Sequence, residues 1–335
     1  MEGRRAARAI VENFDFEALF EYIPEMELIV PESDRGNSLS KIAFYFRDND
    51  LTLSDLYIGY AVSLYKYTTV KVVHDTLRVL GNLWPKKNIP KNVRQEDLHY
   101  RMKKMCQMGM LRRYHFQKNG MNIVLFTTTA EFSKAIYISL KLNTDARPEK
   151  DLIPPIEFMM KAAASLVACE LMKSIFLQKF DFLASYTNQE LGKNMLYCEI
   201  TTQRDGVTFS TIVEPFFTRC DLKRYTEDEW EKELVKRIKI VLGYMKERYS
   251  KKEGMAQTIF VVEDKADFKI LSTLICNLFP EDMLGQLYFT SEGALRSGGF
   301  DLKNSMIRIV STREEPETKR KILGSVTSQV LYEFF

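Results

Sequence analysis

Two strand-like runs, about 110–116 and 121–128, meet at Lys118-Asn119-Gly120, and no other local signal in the chain constrains the fold as tightly. Asn-Gly supplies the positive φ angles that a two-residue hairpin demands. A β-ribbon is therefore expected in the middle of the first half of the chain.

Three helices are predicted ahead of it. The first covers about 52–66, with Thr52 and Asp55 at capping-box spacing and Leu56, Ala61 and Leu64 on one face. The second covers about 69–80, with Val70, Val73, Leu77 and Leu80 at 3-4-3 spacing and Gly81 as the residue that ends it. A loop punctuated by Pro85 and Pro90 leads to the third, about 92–108. Leu98, Met102 and Met105 form its buried stripe, and Gly109 stops it. A further helix over 130–140 closes the unit.

Three helices followed by a two-stranded hairpin is the order of a winged helix-turn-helix, in which a helix enters the major groove and the hairpin grips flanking phosphates. The third helix would then be the recognition helix. Arg94, Gln95, His99 and Lys103 are its candidates for the groove, with Arg101 and Lys104 on its other faces. Arg112, Arg113 and Lys118 lie on or near the hairpin, Tyr114 and His115 can reach the sugar-phosphate edge, and Lys86, Lys87 and Lys91 precede the helix. The competing use of such a unit is protein contact.

Charge favours nucleic acid. The formal net charge of +3 conceals a division: residues 1–40 carry 4 basic and 9 acidic side chains, 41–150 carry 19 and 9, and 151–335 carry 25 and 27. Within 86–118, ten Lys and Arg face only Glu96 and Asp97. Concentrated positive charge releases counterions from phosphates and drives nucleic-acid binding.

The second half has another rhythm. A long helix is expected at about 156–180, strands at 195–202 and 207–217, and a helix at 227–249 with Thr226 and Glu229 as its capping box. A strand at 258–263, a helix at 267–278 and a strand at 286–291 follow, an α/β sandwich order. The expected division is an acidic-hydrophobic arm over 1–40, packed on its neighbouring domain, a winged-helix domain over 41–142, a linker over 143–155 and an α/β domain over 156–335. The overall class is α/β, or α+β for the whole chain.

The segment RMKKMCQMGMLRRYHF resembles the winged-helix part of the replication-relaxation, or plasmid mobilisation accessory (relaxosome), proteins, over about 51–140. The resemblance implies a cytoplasmic DNA-binding accessory protein of conjugation, mobilisation or replication. It would bind double-stranded DNA, dock on a relaxase or replication protein, or pair as a homodimer. It also implies a restriction-endonuclease-like second domain, whose chemistry needs an acidic residue and then Glu-x-Lys on the next strand, holding Mg²⁺. The candidates are Glu199, Asp205 and Glu214, with Glu170 as an auxiliary ligand. Phe216 stands where the lysine belongs, and Lys223 lies seven residues further on. A Phe cannot position water, so the expectation is a non-catalytic domain without metal or cofactor. A metal-dependent nuclease and a winged-helix transcriptional regulator are the alternatives.

Other chemistries find no support. The five Cys form no CxxC pair and have no His neighbour, and only three His occur, which argues against a zinc site and a disulfide scaffold. No phosphate loop of GxxxxGK[ST] type is present, and Ser297-Gly298-Gly299 reads as a flexible loop. No run reaches the length of a membrane span, and the first residues lack a signal-peptide core.

Overall fold

The computed structural model describes residues 11, 14–16, 38–118, 121–142, 155–188, 192–218, 226–250 and 255–328. The fold is mixed α and β and divides into two units, one of 23–165 and one of 1–22 with 166–335. The division falls inside a helix, at Ser165, and not in the expected linker at 143–155, of which 143–154 lie outside the described residues.

In the helical unit, α1 (Leu39–Arg47) is capped by Ser38, which accepts from the Lys41 amide. The sequence reading missed this helix because it fell at the edge of the arm. Next, α2 (Leu53–Tyr65) carries the expected capping box, the Thr52 amide and hydroxyl both donating to Asp55 at 2.7 and 2.8 Å. It is followed by α3 (Val70–Leu83) and α4 (Gln95–Gln107). Gly81 does not end α3, which runs on to Leu83. The glycine instead lets Lys91 approach: a Cβ there would sit 2.6 Å from the Lys91 Cβ. Gly109 does stop α4, at a φ of 70° that suits glycine, with the Met110 amide bonded back to Met105.

Strands β1 (Leu111–Lys118) and β2 (Met121–Thr128) pair antiparallel from Leu111↔Thr128 to Lys118↔Met121. That register leaves two residues for the turn, Asn119 and Gly120, which lie outside the described residues. Thr68, ahead of α3, bridges Phe126 through two backbone bonds of 2.8 and 3.1 Å, a one-residue β-bridge beside the two-stranded ribbon. Val73, Leu77, Leu98, Met102, Met105, Leu125 and Phe126 fill the core. Helix α5 (Ala130–Leu140) closes on α2 at Gly59, where a Cβ would stand 2.5 Å from Phe132.

The second unit is a seven-stranded sheet in the order β3-β4-β5-β6-β7-β8-β9. Helix α6 (Pro155–Met172) is shorter than expected, and its predicted tail is strand β3 (Leu177–Asn188). A turn at Ser174 separates them, its hydroxyl accepting from the Phe176 amide. Strands β3, β4 (Gly192–Arg204) and β5 (Val207–Phe216) form an antiparallel meander. Helix α7 (Glu227–Ser250) then leads to β6 (Met255–Val262), parallel to β5. Helices α8 (Lys265–Leu278) and α9 (Glu281–Leu284) lead to β7 (Leu287–Ser291), parallel to β6. After α10 (Glu292–Ser297), the sheet ends in antiparallel strands β8 (Ile307–Glu314) and β9 (Lys321–Thr327), which the sequence reading did not find. Gly298 caps α10, so Ser297-Gly298-Gly299 forms the end of a helix, closely packed at Gly298 alone.

Asp15 and Phe16 of the acidic arm belong to this sheet unit. Ser291 donates to the Asp15 carbonyl, Ser297 to the Asp15 carboxylate, and the Phe16 ring lies 5.6 Å from that of Phe268. The arm was expected to pack on the domain that follows it directly. The part described packs on the other one, a pairing across 276 residues that no local pattern signals.

Candidate nucleic-acid interface and the carboxylates of the sheet

Helix α4 presents three kinds of side chain around its axis. Leu98, Met102, Met105 and Cys106 are buried. One flank carries Arg94, Asp97, Arg101 and Lys104, and the other carries His99 and Lys103. Tyr100, 75% exposed, lies between the two flanks on the outward face.

The first flank is tied to the protein. Arg101 donates to both Asp55 oxygens at 2.6 Å and to the Asp50 carbonyl at 2.7 Å. Asp55 is buried, so this guanidinium holds α4 to the start of α2, and Arg101 leaves the set of contact candidates. Lys104 borders the same recess, beside Asn49 and Asp50. Arg94 pairs with Asp97 at 2.8 Å on the surface, a contact that solvent screens and a phosphate can replace.

The second flank meets the ribbon. His99 stacks edge-on against Phe126, 6.3 Å away, and Phe126 stands opposite Arg113 in the register. Burial, then Lys103, then Arg113, hold the His99 imidazole below its ordinary pKa. Helix α4 and the ribbon thus adjoin at His99 and Phe126, with Arg113 opposite Phe126. Arg112 does not join them, because neighbouring strand residues point to opposite faces. It shares its face with Tyr114, whose ring packs on Tyr67 at 6.0 Å. Lys118 lies at the end of β1.

The loop before α4 carries the remaining lysines. Lys86, Lys87 and Lys91 are exposed, and Lys87 sits 4.7 Å over the Trp84 ring, which stacks on Tyr60. Gln95 is exposed at the first turn of α4. His74 is structural: its Nε2 donates to the Val93 carbonyl and ties α3 to this loop. The sequence reading passed over Tyr100. The signal was available, since an aromatic residue off the Leu98-Met102-Met105 stripe has no core to enter.

The sheet's acids are arranged differently. Glu199 on β4 and Glu214 on β5 face α7 as diagonal neighbours, Glu214 standing opposite Tyr197. Glu199 accepts from Ser210 at 3.0 Å, from Arg248 at 3.1 Å and from Tyr244. Burial first and Glu199 second push the Tyr244 hydroxyl well above its ordinary range. Glu214 is 8% exposed, and its carboxyl is raised by burial against the opposing effects of Arg237 and the Tyr197 amide.

Asp205 does not belong with these two. It is 89% exposed in the left-handed turn between β4 and β5, roughly 30 Å of strand from Glu214. Phe216 is buried on the Glu214 face, in the position a catalytic lysine would need. Lys223 lies outside the described residues. Glu170 pairs with Lys173 at 2.7 Å. Among the described residues, no three acids, histidines or cysteines gather as a metal site would require. Cys106, Cys169, Cys198 and Cys276 are buried, and burial raises the Cys198 and Cys276 thiols, the latter to about 11. Also among the described residues, no helix is long and apolar enough to cross a membrane.

Glu263-Asp264 ends β6 as a helix-entry turn, Asp264 accepting from the Asp267 amide at 2.8 Å. Asp267 is buried, accepts from Thr218 and from the Glu263 amide, and titrates at about 6, raised chiefly by burial. Comparison of the chain with protein-family models, with curated proteins and with solved structures gave no match.

Proposed function

We propose that the helical unit is a winged helix that binds duplex DNA, with α4 against the major groove and the β1–β2 ribbon on the flanking backbone. The observation that carries this reading is the edge-on contact of His99 on α4 with Phe126 on β2, which stands opposite Arg113, so that helix and ribbon adjoin where Lys103 and Arg113 lie. The Thr68 bridge supports it, because it ties the segment ahead of α3 to the ribbon through a pair of backbone bonds. Exposed Lys86, Lys87 and Lys91 extend the surface toward the phosphates, and Tyr100 with Gln95 faces the bases or sugars.

By its resemblance the protein is an accessory factor of a mobile element, acting in the cytoplasm beside a relaxase or replication protein, with the sheet unit as the docking part. The test is duplex binding followed by fluorescence anisotropy over a salt series. Lys103→Ala and Arg113→Ala are each expected to weaken binding and to reduce the salt slope by about one. Unchanged affinity in both at low salt overturns the reading.

Metal-dependent cleavage is the second reading, favoured by the shared face of Glu199 and Glu214. Phe216 and the bonds that occupy Glu199 weigh against it. It requires Mg²⁺- or Mn²⁺-dependent nicking that Glu214→Ala abolishes.

A further inference from the structure

Pro215 has no amide hydrogen, and the β4–β5 ladder stops at Cys198↔Val213, just before it. The next β4 amide, that of Tyr197, donates to the Glu214 side chain at 3.2 Å. Beyond this point the start of β4 parts from β5, and a recess of about 280 Å³ opens beneath α7. That volume suits a metabolite-sized molecule.

Two opposite charges face the recess without meeting. Glu214 is nearly buried and accepts from the Tyr197 amide at 3.2 Å. Arg237 lines the same space, and its Nη1 is buried with no acceptor. Arg237 lies close enough to act on the Glu214 carboxyl, yet the two form no ion pair. A buried guanidinium nitrogen without an acceptor is costly, and contact with Glu214 would relieve it. Leu196, Ile240 and Val241 supply apolar wall, and Asn194, Met195 and Glu233 complete the lining.

The chemistry of the occupant follows from these charges. A simple anion would meet repulsion from Glu214 and Glu233, and a divalent cation would meet Arg237. A molecule carrying both charges satisfies both partners. We propose that the recess binds a small zwitterion of the α-amino-acid class with an apolar side chain. Its carboxylate sits on Arg237, its ammonium on Glu214, and its side chain against Leu196, Ile240 and Val241. The site belongs to the sheet unit and stands independently of the DNA-binding reading.

The experiment is calorimetric titration of the full chain with L-leucine and L-methionine, and with isovalerate, isoamylamine and Mg²⁺ as separate probes. Saturable binding of an amino acid is expected, with each half-molecule roughly ten- to a hundredfold weaker. Arg237→Met and Glu214→Gln, checked for folding by circular dichroism, should each lose a similar factor. If neither variant folds, the comparison of leucine with its two half-molecules on the natural chain decides. No saturable binding of either amino acid overturns the proposal, since water alone then fills the recess. So does Mg²⁺ binding that Glu214→Gln abolishes and Arg237→Met leaves intact.

Discussion

In the helical unit, the buried acid Asp55 is closed on Arg101 at 2.6 Å, and the lysines of the loop and of α4 face outward. In the sheet unit, Glu199, Glu214 and Asp267 are gathered inside, and of these three only Glu199 has an arginine in contact. A near-neutral stretch of sequence can thus hold its charges internally, where they shape recesses and titrate. A strongly basic stretch pairs its few acids for structure and leaves an excess at the surface. The two units differ less in how many charges they carry than in where the fold puts them.

The comparison breaks most directly at Asp55. Asp55→Ala leaves Arg101 with the Asp50 carbonyl alone and removes the capping box of α2, and the helical unit should lose about 3–5 kcal/mol. Urea unfolding followed by a probe in that unit measures it. A loss below about 1 kcal/mol would mean that the pair is no tie.

Asp267 gives the matching test in the sheet unit. Its folded pKa of about 6 lies above the ordinary 3.8, so the fold prefers the protonated acid. Stability from this group is complete below pH 3.8 and is lost as pH rises through 6, by up to about 3 kcal/mol. Asp267→Asn should flatten that part of the stability profile, read by denaturation at a series of pH values.

Gly59→Ala is a smaller perturbation. The new methyl would press on Phe132 and Ile136, and a loss of about 1–3 kcal/mol is expected in thermal unfolding. A neutral outcome would mean that α2 and α5 slide apart freely.

The sequence carried the helical unit well because its signals are local. The Thr52–Asp55 box, the Leu98-Met102-Met105 stripe and Gly109 each act within one or two turns, and each appears where expected. It carried less of the sheet. Strand β3 follows α6 with no Gly or Pro between them, and β8 and β9 pair only with strands or one another, so their periodicity was overlooked. Arg101 and Arg112 looked equivalent to Lys103 and Arg113 by charge. Only Asp55, 46 residues from Arg101, and the alternation of β1 separate them. The recess at Glu214 depended on Pro215 ending a ladder, which pairing partners reveal and spacing does not.

The central claim is that one flank of α4 and one face of the ribbon form the DNA-binding surface. The measurement is duplex affinity at low salt for Lys103→Ala/Arg113→Ala against Lys104→Ala/Arg112→Ala, two variants of equal charge. The first pair should lose far more affinity than the second, with a salt slope reduced by about two. Equal losses in the two, or none in either, would contradict it.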